Sequence, residues 1–132
     1  MRNAGAVALL ACIAFVAFAG CSLVAVGGGE EIHIVAGARG VEMYFEPAEI
    51  TVFAGEEVTF VIHNESSFDH EFESSEKGEA GIDEILIPPG RTRRVPWTAP
   101  STPETYKVYC DLPGHRAAGM EFTLIVVERA TP

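Results

Sequence analysis

Cys110, His115 and Met120 fall at intervals of five residues in the stretch Cys110-Asp111-Leu112-Pro113-Gly114-His115-Arg116-Ala117-Ala118-Gly119-Met120. A thiolate, an imidazole and a thioether on one short loop are the soft and intermediate donors that copper takes in a trigonal site with a weak axial sulfur. Such a site needs a second imidazole in its plane, and the chain offers His33, His63 and His70. His70 closes the turn-rich stretch Asn64-Glu65-Ser66-Ser67-Phe68-Asp69, where a strand end can point a side chain at a neighbouring loop. His63 lies in an alternating run on the face opposite Val58, Phe60 and Ile62, and His33 alternates between Ile32 and Ile34, so both are expected to be solvated strand histidines. Taken singly, a cysteine at a strand end reads as buried filler and Met120 as core packing. It is the joint order and spacing that make His70, Cys110, His115 and Met120 the expected metal ligands.

This order resembles that of the cupredoxins, small type 1 copper proteins of the plastocyanin and azurin kind, with one His after an early turn and Cys, His and Met on a final loop. The resemblance runs from Ile32 to Val127 and includes Phe45-Glu46-Pro47-Ala48-Glu49-Ile50-Thr51-Val52 and Gly55-Glu56-Glu57-Val58-Thr59-Phe60. It implies an all-β fold, a cupredoxin-like Greek-key β-sandwich of about seven to eight strands. It also implies one copper ion cycling between Cu(I) and Cu(II), with Cys110 as the anionic ligand, His70 and His115 as the imidazoles and Met120 as the weak axial partner. Electrons would leave through His115, inside an apolar rim of Leu112, Pro113, Ala117 and Ala118, with Pro113-Gly114 shaping the turn. Two positions depart from the family pattern. After the upstream His the family usually has Asn, and after the Cys it has Ser or Thr; here the residues are Glu71 and Asp111. Two carboxylates cannot make that neutral link unless one is protonated, and their charge should favour Cu(II).

The elements that must position these residues read as strands near 31–36, 41–45, 48–53, 57–63, 69–73, 82–87, 91–97, 104–110 and 120–128, separated by Gly, Pro, Asn and Ser turns. Their spacing suits a sandwich, with Trp97, Phe60 and Phe122 in the core and Tyr106 in a tyrosine corner. Arg91, Arg93 and Arg94 form a basic cluster whose alternation suggests a solvent face rather than a site.

Before the domain, Arg2 and an uncharged stretch from Ala4 to Gly20 lead to Phe18-Ala19-Gly20-Cys21, which resembles a bacterial lipoprotein signal cleaved before Cys21. The organisation expected is a signal peptide over 1–20, a flexible tether over 21–31 and a cupredoxin domain over 32–132. An uncleaved membrane span and plain secretion are the competing readings, and all three place the domain outside the cytoplasm. With cleavage Cys12 is lost, Cys21 carries lipid and Cys110 is the remaining thiol.

Cleavage removes only Arg2 from the nine basic side chains, which leaves eight against nineteen acidic ones and a formal charge of −11. That balance argues against nucleic acid as a partner and favours a basic docking surface on redox donor and acceptor proteins. The expected function is that of a monomeric carrier of single electrons, lipid-anchored to the periplasmic or cell-surface face of a bacterial membrane and itself no catalyst. A copper-delivery or sensing protein and an accessory subunit of a larger oxidoreductase are the alternatives. The chain has no second cysteine in the loop for a dinuclear centre and no His-x-His pair for a multicopper one.

Overall fold

The computed structural model describes residues 29–74 and 80–130. The expected signal segment, Cys12, the expected lipid site Cys21 and most of the expected tether lie outside the described residues. Nine strands are present: β1 (Glu30–Arg39), β2 (Glu42–Glu46), β3 (Glu49–Phe53), β4 (Glu57–Asn64), β5 (His70–Ser74), β6 (Ile82–Ile87), β7 (Thr92–Thr98), β8 (Glu104–Tyr109) and β9 (Glu121–Val127). They form two sheets, ordered β2-β1-β4-β7 and β3-β9-β8-β5-β6. The chain crosses between sheets after β2, β3, β4, β6 and β7, as a Greek-key sandwich requires. β1 runs parallel to β4 and β3 parallel to β9, while the other pairs are antiparallel.

Alternation in sequence produces this architecture because side chains two apart share a face. Val58, Phe60 and Ile62 on β4, Val95 and Trp97 on β7, Ile50 and Val52 on β3, and Phe122, Leu124 and Val126 on β9 are all buried between the sheets. Burial of each such side chain contributes about 1.5–3 kcal/mol. The rings of Phe45, Phe60, Phe72, Trp97 and Phe122 meet in a continuous cluster, with centroids 5.5–5.9 Å apart. Tyr106 is also buried.

Three details differ from the sequence expectation. There are nine strands, as the nine alternating segments suggest, rather than the seven to eight that the family resemblance implies; the stretch from Glu42 to Phe53 divides between the two sheets around Pro47, which has no N–H for a ladder. β1 starts inside the expected tether: Glu30 pairs with Val58 and Glu31 with Thr59, and Glu31 is ion-paired with Arg94. β1 also runs past Ala36 to Arg39, which it can do because Gly37 leaves room for the Tyr44 ring; a Cβ there would lie 2.4 Å from Tyr44 Cζ.

The topology brings four connections to one end of the sandwich: the β1–β2 turn, the β4–β5 turn, the β6–β7 turn and the β8–β9 loop. At this end β5 and β8 are paired only through Glu73 and Tyr109. Past that pair the strands part, and the gap holds His70 and Cys110.

Candidate metal centre

Cys110 follows directly on β8, and its loop runs to Met120, just before β9 begins at Glu121. The Cys110 N–H donates to the Met120 carbonyl at 3.0 Å, which closes the loop at its base. Inside it, the His115 N–H donates to the Leu112 carbonyl, and the Ala118 N–H reaches the carbonyls of Gly114 and His115, each at 3.0 Å. Gly114, with φ of 85°, makes the reversal that the Pro-Gly pair suggests. A strap from β2 fixes the far side of the loop, where the Met43 N–H donates to the Ala118 carbonyl at 3.0 Å. At the next residue, Gly119, an added Cβ would press to 3.2 Å from the Met43 carbonyl oxygen. Arg116 lies over the Tyr109 ring at 3.8 Å and donates from Nε to Glu121 at 3.2 Å, so the middle of the loop is held to β8 and β9.

His70, Cys110 and His115 converge, with their donor atoms all within 4.8 Å of one another. His115 Nδ1 lies 3.3 Å from Cys110 Sγ and 3.3 Å from His70 Nδ1. Met120, on the same loop, is fully buried, as are His70 and Cys110, whereas His115 is half-exposed. His33 and His63 stand on the outer face, as their alternation implies. His33 is 3.8 Å from Glu31, and His63 Nδ1 is 3.0 Å from the Thr92 hydroxyl.

Each buried donor has a defined environment. The Glu71 N–H, which an unbroken ladder would give to a carbonyl of the neighbouring strand, donates instead to Cys110 Sγ at 3.2 Å. Without a metal, burial raises the Cys110 thiol pKa, and the charges of Glu71 and Asp111 add to the rise, against hydrogen bonds from the backbone of Glu71 and Leu112. Burial also lowers the His70 imidazole from 6.5 to about 4, with the His115 ring acting in the same sense and Asp69 opposing. Glu71 is raised, first by desolvation and then by Glu84, Glu73 and Asp111. The raised Glu71 bears on the carboxylate pair noted in the sequence: Asp111 is among the charges that raise it, after desolvation, Glu84 and Glu73, and this arrangement eases protonation of Glu71.

The donor set suits copper. One buried thiol and two imidazole nitrogens converge on a common centre, with a thioether residue buried in the same loop, and these are the ligand types of a trigonal copper site with a weak axial sulfur. Two imidazole nitrogens 3.3 Å apart beside a thiol leave lone pairs that a cation satisfies.

Comparison with known proteins agrees. Residues 32–127 match the family described as copper binding proteins, plastocyanin/azurin family. The chain belongs to that family. It is 36% identical over 115 residues to the chloroplastic plastocyanin of Oryza sativa subsp. indica, covering 81% of this chain and 70% of that protein. Over the same length it is 33% identical to the plastocyanin of Hordeum vulgare. Among solved structures, the dithionite-reduced auracyanin of the photosynthetic bacterium Roseiflexus castenholzii superposes with a TM-score of 0.60 at 21% identity, over 76% of this chain and 99% of that one. The copper-containing nitrite reductase of Thermus scotoductus SA-01 shares the fold with a TM-score of 0.61 at 15% identity, but 80% of this chain covers only 32% of that enzyme. The protein is thus a copper-binding cupredoxin of electron-transfer type.

The sequence did not single out every residue that shapes this end. The Asn64 and Ser66 contacts to the His70 turn emerge only in three dimensions, although Asn-x-Ser before the turn is a recognisable Asx-turn signal. Val41, 88% exposed in the β1–β2 turn, and Phe68, 47% exposed beside His70, add apolar surface to the same end as Leu112, Pro113 and Ala117.

Proposed function

We propose that this chain is a membrane-tethered carrier of single electrons, holding one copper ion through His70, Cys110, His115 and Met120. The observation that carries the reading is the 3.3 Å approach of His115 Nδ1 to both Cys110 Sγ and His70 Nδ1. Bound copper supplies a one-electron couple between Cu(I) and Cu(II). The chain supplies a scaffold that changes little between the two states. With copper bound, Cys110 would be the thiolate ligand, and the Glu71 N–H would donate to its sulfur. The loop closure at Cys110 and Met120, the Met43 strap and the Arg116 contacts restrain the donors, which limits rearrangement on electron transfer.

The exit route in this reading is the half-exposed edge of His115, ringed by Leu112, Pro113, Ala117 and Ala118 and extended by Val41 and Phe68. An apolar collar around a redox edge suits brief docking, because it excludes water without a large desolvation of charge. The formal charge of the chain favours a basic partner surface. Lipid on Cys21 is the proposed anchor. β1 begins at the end of the sandwich opposite the metal ligands: Asn64, beside the His70 turn, pairs with Ala36, six residues and about 20 Å along β1 from Glu30. That geometry suits a carrier that offers its metal to partners away from the membrane surface. A domain of a copper enzyme is the weaker reading: among the described residues, His70, Cys110 and His115 are the only group of three such donors.

The test is a visible absorption and EPR spectrum of the whole chain loaded with Cu(II). An intense thiolate charge-transfer band that disappears in Cys110→Ser is expected, and a colourless holoprotein would overturn the assignment.

A further inference from the structure

The His70 backbone opens β5, and its ring is backed by side chains of the β4–β5 turn. Its Nε2 lies 2.8 Å from Ser66 Oγ. The Ser66 hydroxyl has one hydrogen, which goes to Asn64 Oδ1 at 2.9 Å or to the Phe68 carbonyl at 3.3 Å, and it accepts the Phe68 N–H at 3.2 Å. An Oγ that gives its hydrogen to either of these oxygens turns a lone pair toward His70, and in that arrangement Nε2 is the protonated ring nitrogen. Nδ1 is left as the acceptor, and it is the atom that lies 3.3 Å from His115 Nδ1.

Asn64 fixes the hydroxyl in turn. It is the last residue of β4 and fully buried; its Nδ2 donates to the Phe68 carbonyl at 2.7 Å and to the Ile87 carbonyl at 2.8 Å, and its Oδ1 accepts the Ser66 N–H at 2.9 Å. The amide therefore joins β4, the turn and the end of β6, and every one of its contacts is to the backbone or to Ser66. From outside, the Tyr44 hydroxyl donates to Glu65 at 2.8 Å and ties the same turn to β2.

We propose that Ser66 and Asn64 are positioning residues of the metal centre: a directional chain from His70 Nε2–H to the Ser66 hydroxyl to the Asn64 side-chain oxygen fixes the tautomer of His70 and aims Nδ1 at Cys110 and His115. The inference rests on the ligand assignment above and adds which residues make one of its imidazoles competent. Partners of this kind raise ligand basicity, fix ring orientation and affect affinity about 10–100-fold.

The test uses the full chain and two substitutions, Ser66→Ala and Ser66→Thr. Long-range proton–nitrogen NMR on the metal-free protein reads the His70 tautomer directly. The parent and Ser66→Thr should show a single Nε2–H form, and Ser66→Ala a mixture with Nδ1–H. On loading, Ser66→Ala should bind Cu(II) at least about tenfold more weakly than the parent and show an altered EPR hyperfine splitting, while Ser66→Thr should recover both. A Ser66→Ala protein that keeps a single Nε2–H tautomer overturns the proposal, whatever its affinity. A mixed tautomer in a protein whose parent takes up no copper would uphold the positioning role and count against the ligand assignment instead.

Discussion

The two imidazoles of the centre sit 5.2 Å apart, centroid to centroid, yet they belong to different kinds of structure. His70 opens β5, is fully buried and is backed by Ser66 and Asn64. His115 is carried by a loop, is half-exposed and is fixed chiefly through its own backbone, by the Leu112 and Met120 hydrogen bonds. One histidine is therefore part of the fold and the other part of the surface. The proposed carrier would use this inequality: the buried ring would hold geometry while the outer ring would meet the partner.

Glycine substitutions would test this difference most strongly. Both His70→Gly and His115→Gly should abolish the parent visible band. Added imidazole should restore it in His115→Gly, where the vacated space opens to solvent, and not in His70→Gly, where the position is fully buried behind the β4–β5 turn. Titration of each variant with imidazole, followed by absorption, checks this; equal rescue at both positions would mean that the burial difference does not govern access.

The same contrast extends to stability. Phe72, two residues after His70, packs against Phe45, Phe60 and Phe122, so Phe72→Ala should cost about 3–5 kcal/mol in denaturant unfolding. Ala117→Asp, on the exposed rim near His115, should change stability by no more than about 0.5 kcal/mol while slowing electron exchange with an apolar-docking partner.

A smaller effect follows from protonation of the metal-free protein. His70 titrates at about 4 in the fold, against an ordinary 6.5, because burial disfavours its charged form. Between those values the unfolded chain binds more protons, so stability rises with pH. The contribution is complete above 6.5 and is lost as pH falls toward 4; with allowance for screening it amounts to about 2 kcal/mol. Urea midpoints of the apo-protein across this window should slope more steeply than those of His70→Gln. Parallel slopes would show that His70 is not the group responsible.

How much of this was legible in the chain follows from how local each feature is. Alternation in Val58-Thr59-Phe60-Val61-Ile62 gave β4, and Pro113-Gly114 gave the reversal in the loop, because both depend on near neighbours. β6 matched the expected 82–87 at both ends, while most other strand ends shifted by one to three residues, since a ladder ends where its partner ends: β1 reaches Arg39 only because Glu42 is there to pair with it. The donors Cys110, His115 and Met120 could be read from one loop, but the hydrogen bond from Glu71 to Cys110 joins residues thirty-nine apart and depends on where β5 and β8 separate. The role of Ser66 was hidden for a different reason. Serines in turns are common, and only the closure of the turn onto His70 distinguishes Ser66 from Ser67. Val41 and Phe68 escaped notice because exposure of an apolar residue cannot be read from its type.

The carboxylates beside the thiolate give the last and smallest test. Glu71 supplies its backbone N–H to Cys110, a contact that survives any side-chain change, so its carboxyl can be altered without removing that hydrogen bond. Its pKa is raised by desolvation and by Glu84, Glu73 and Asp111, which shows that negative charge is crowded on this side of the site. Crowded negative charge stabilises the more positive copper state, so Glu71→Asn with Asp111→Ser should raise the reduction potential by an amount on the order of tens of millivolts, as expected for partly screened charges. The rise should shrink at high ionic strength, most for the exposed Asp111 and least for the half-buried Glu71. Voltammetry of the two single variants at low and high salt separates their shares; an unchanged or lowered potential in the double variant would mean that the carboxyls are neutralised by their surroundings and that backbone donors alone set the potential.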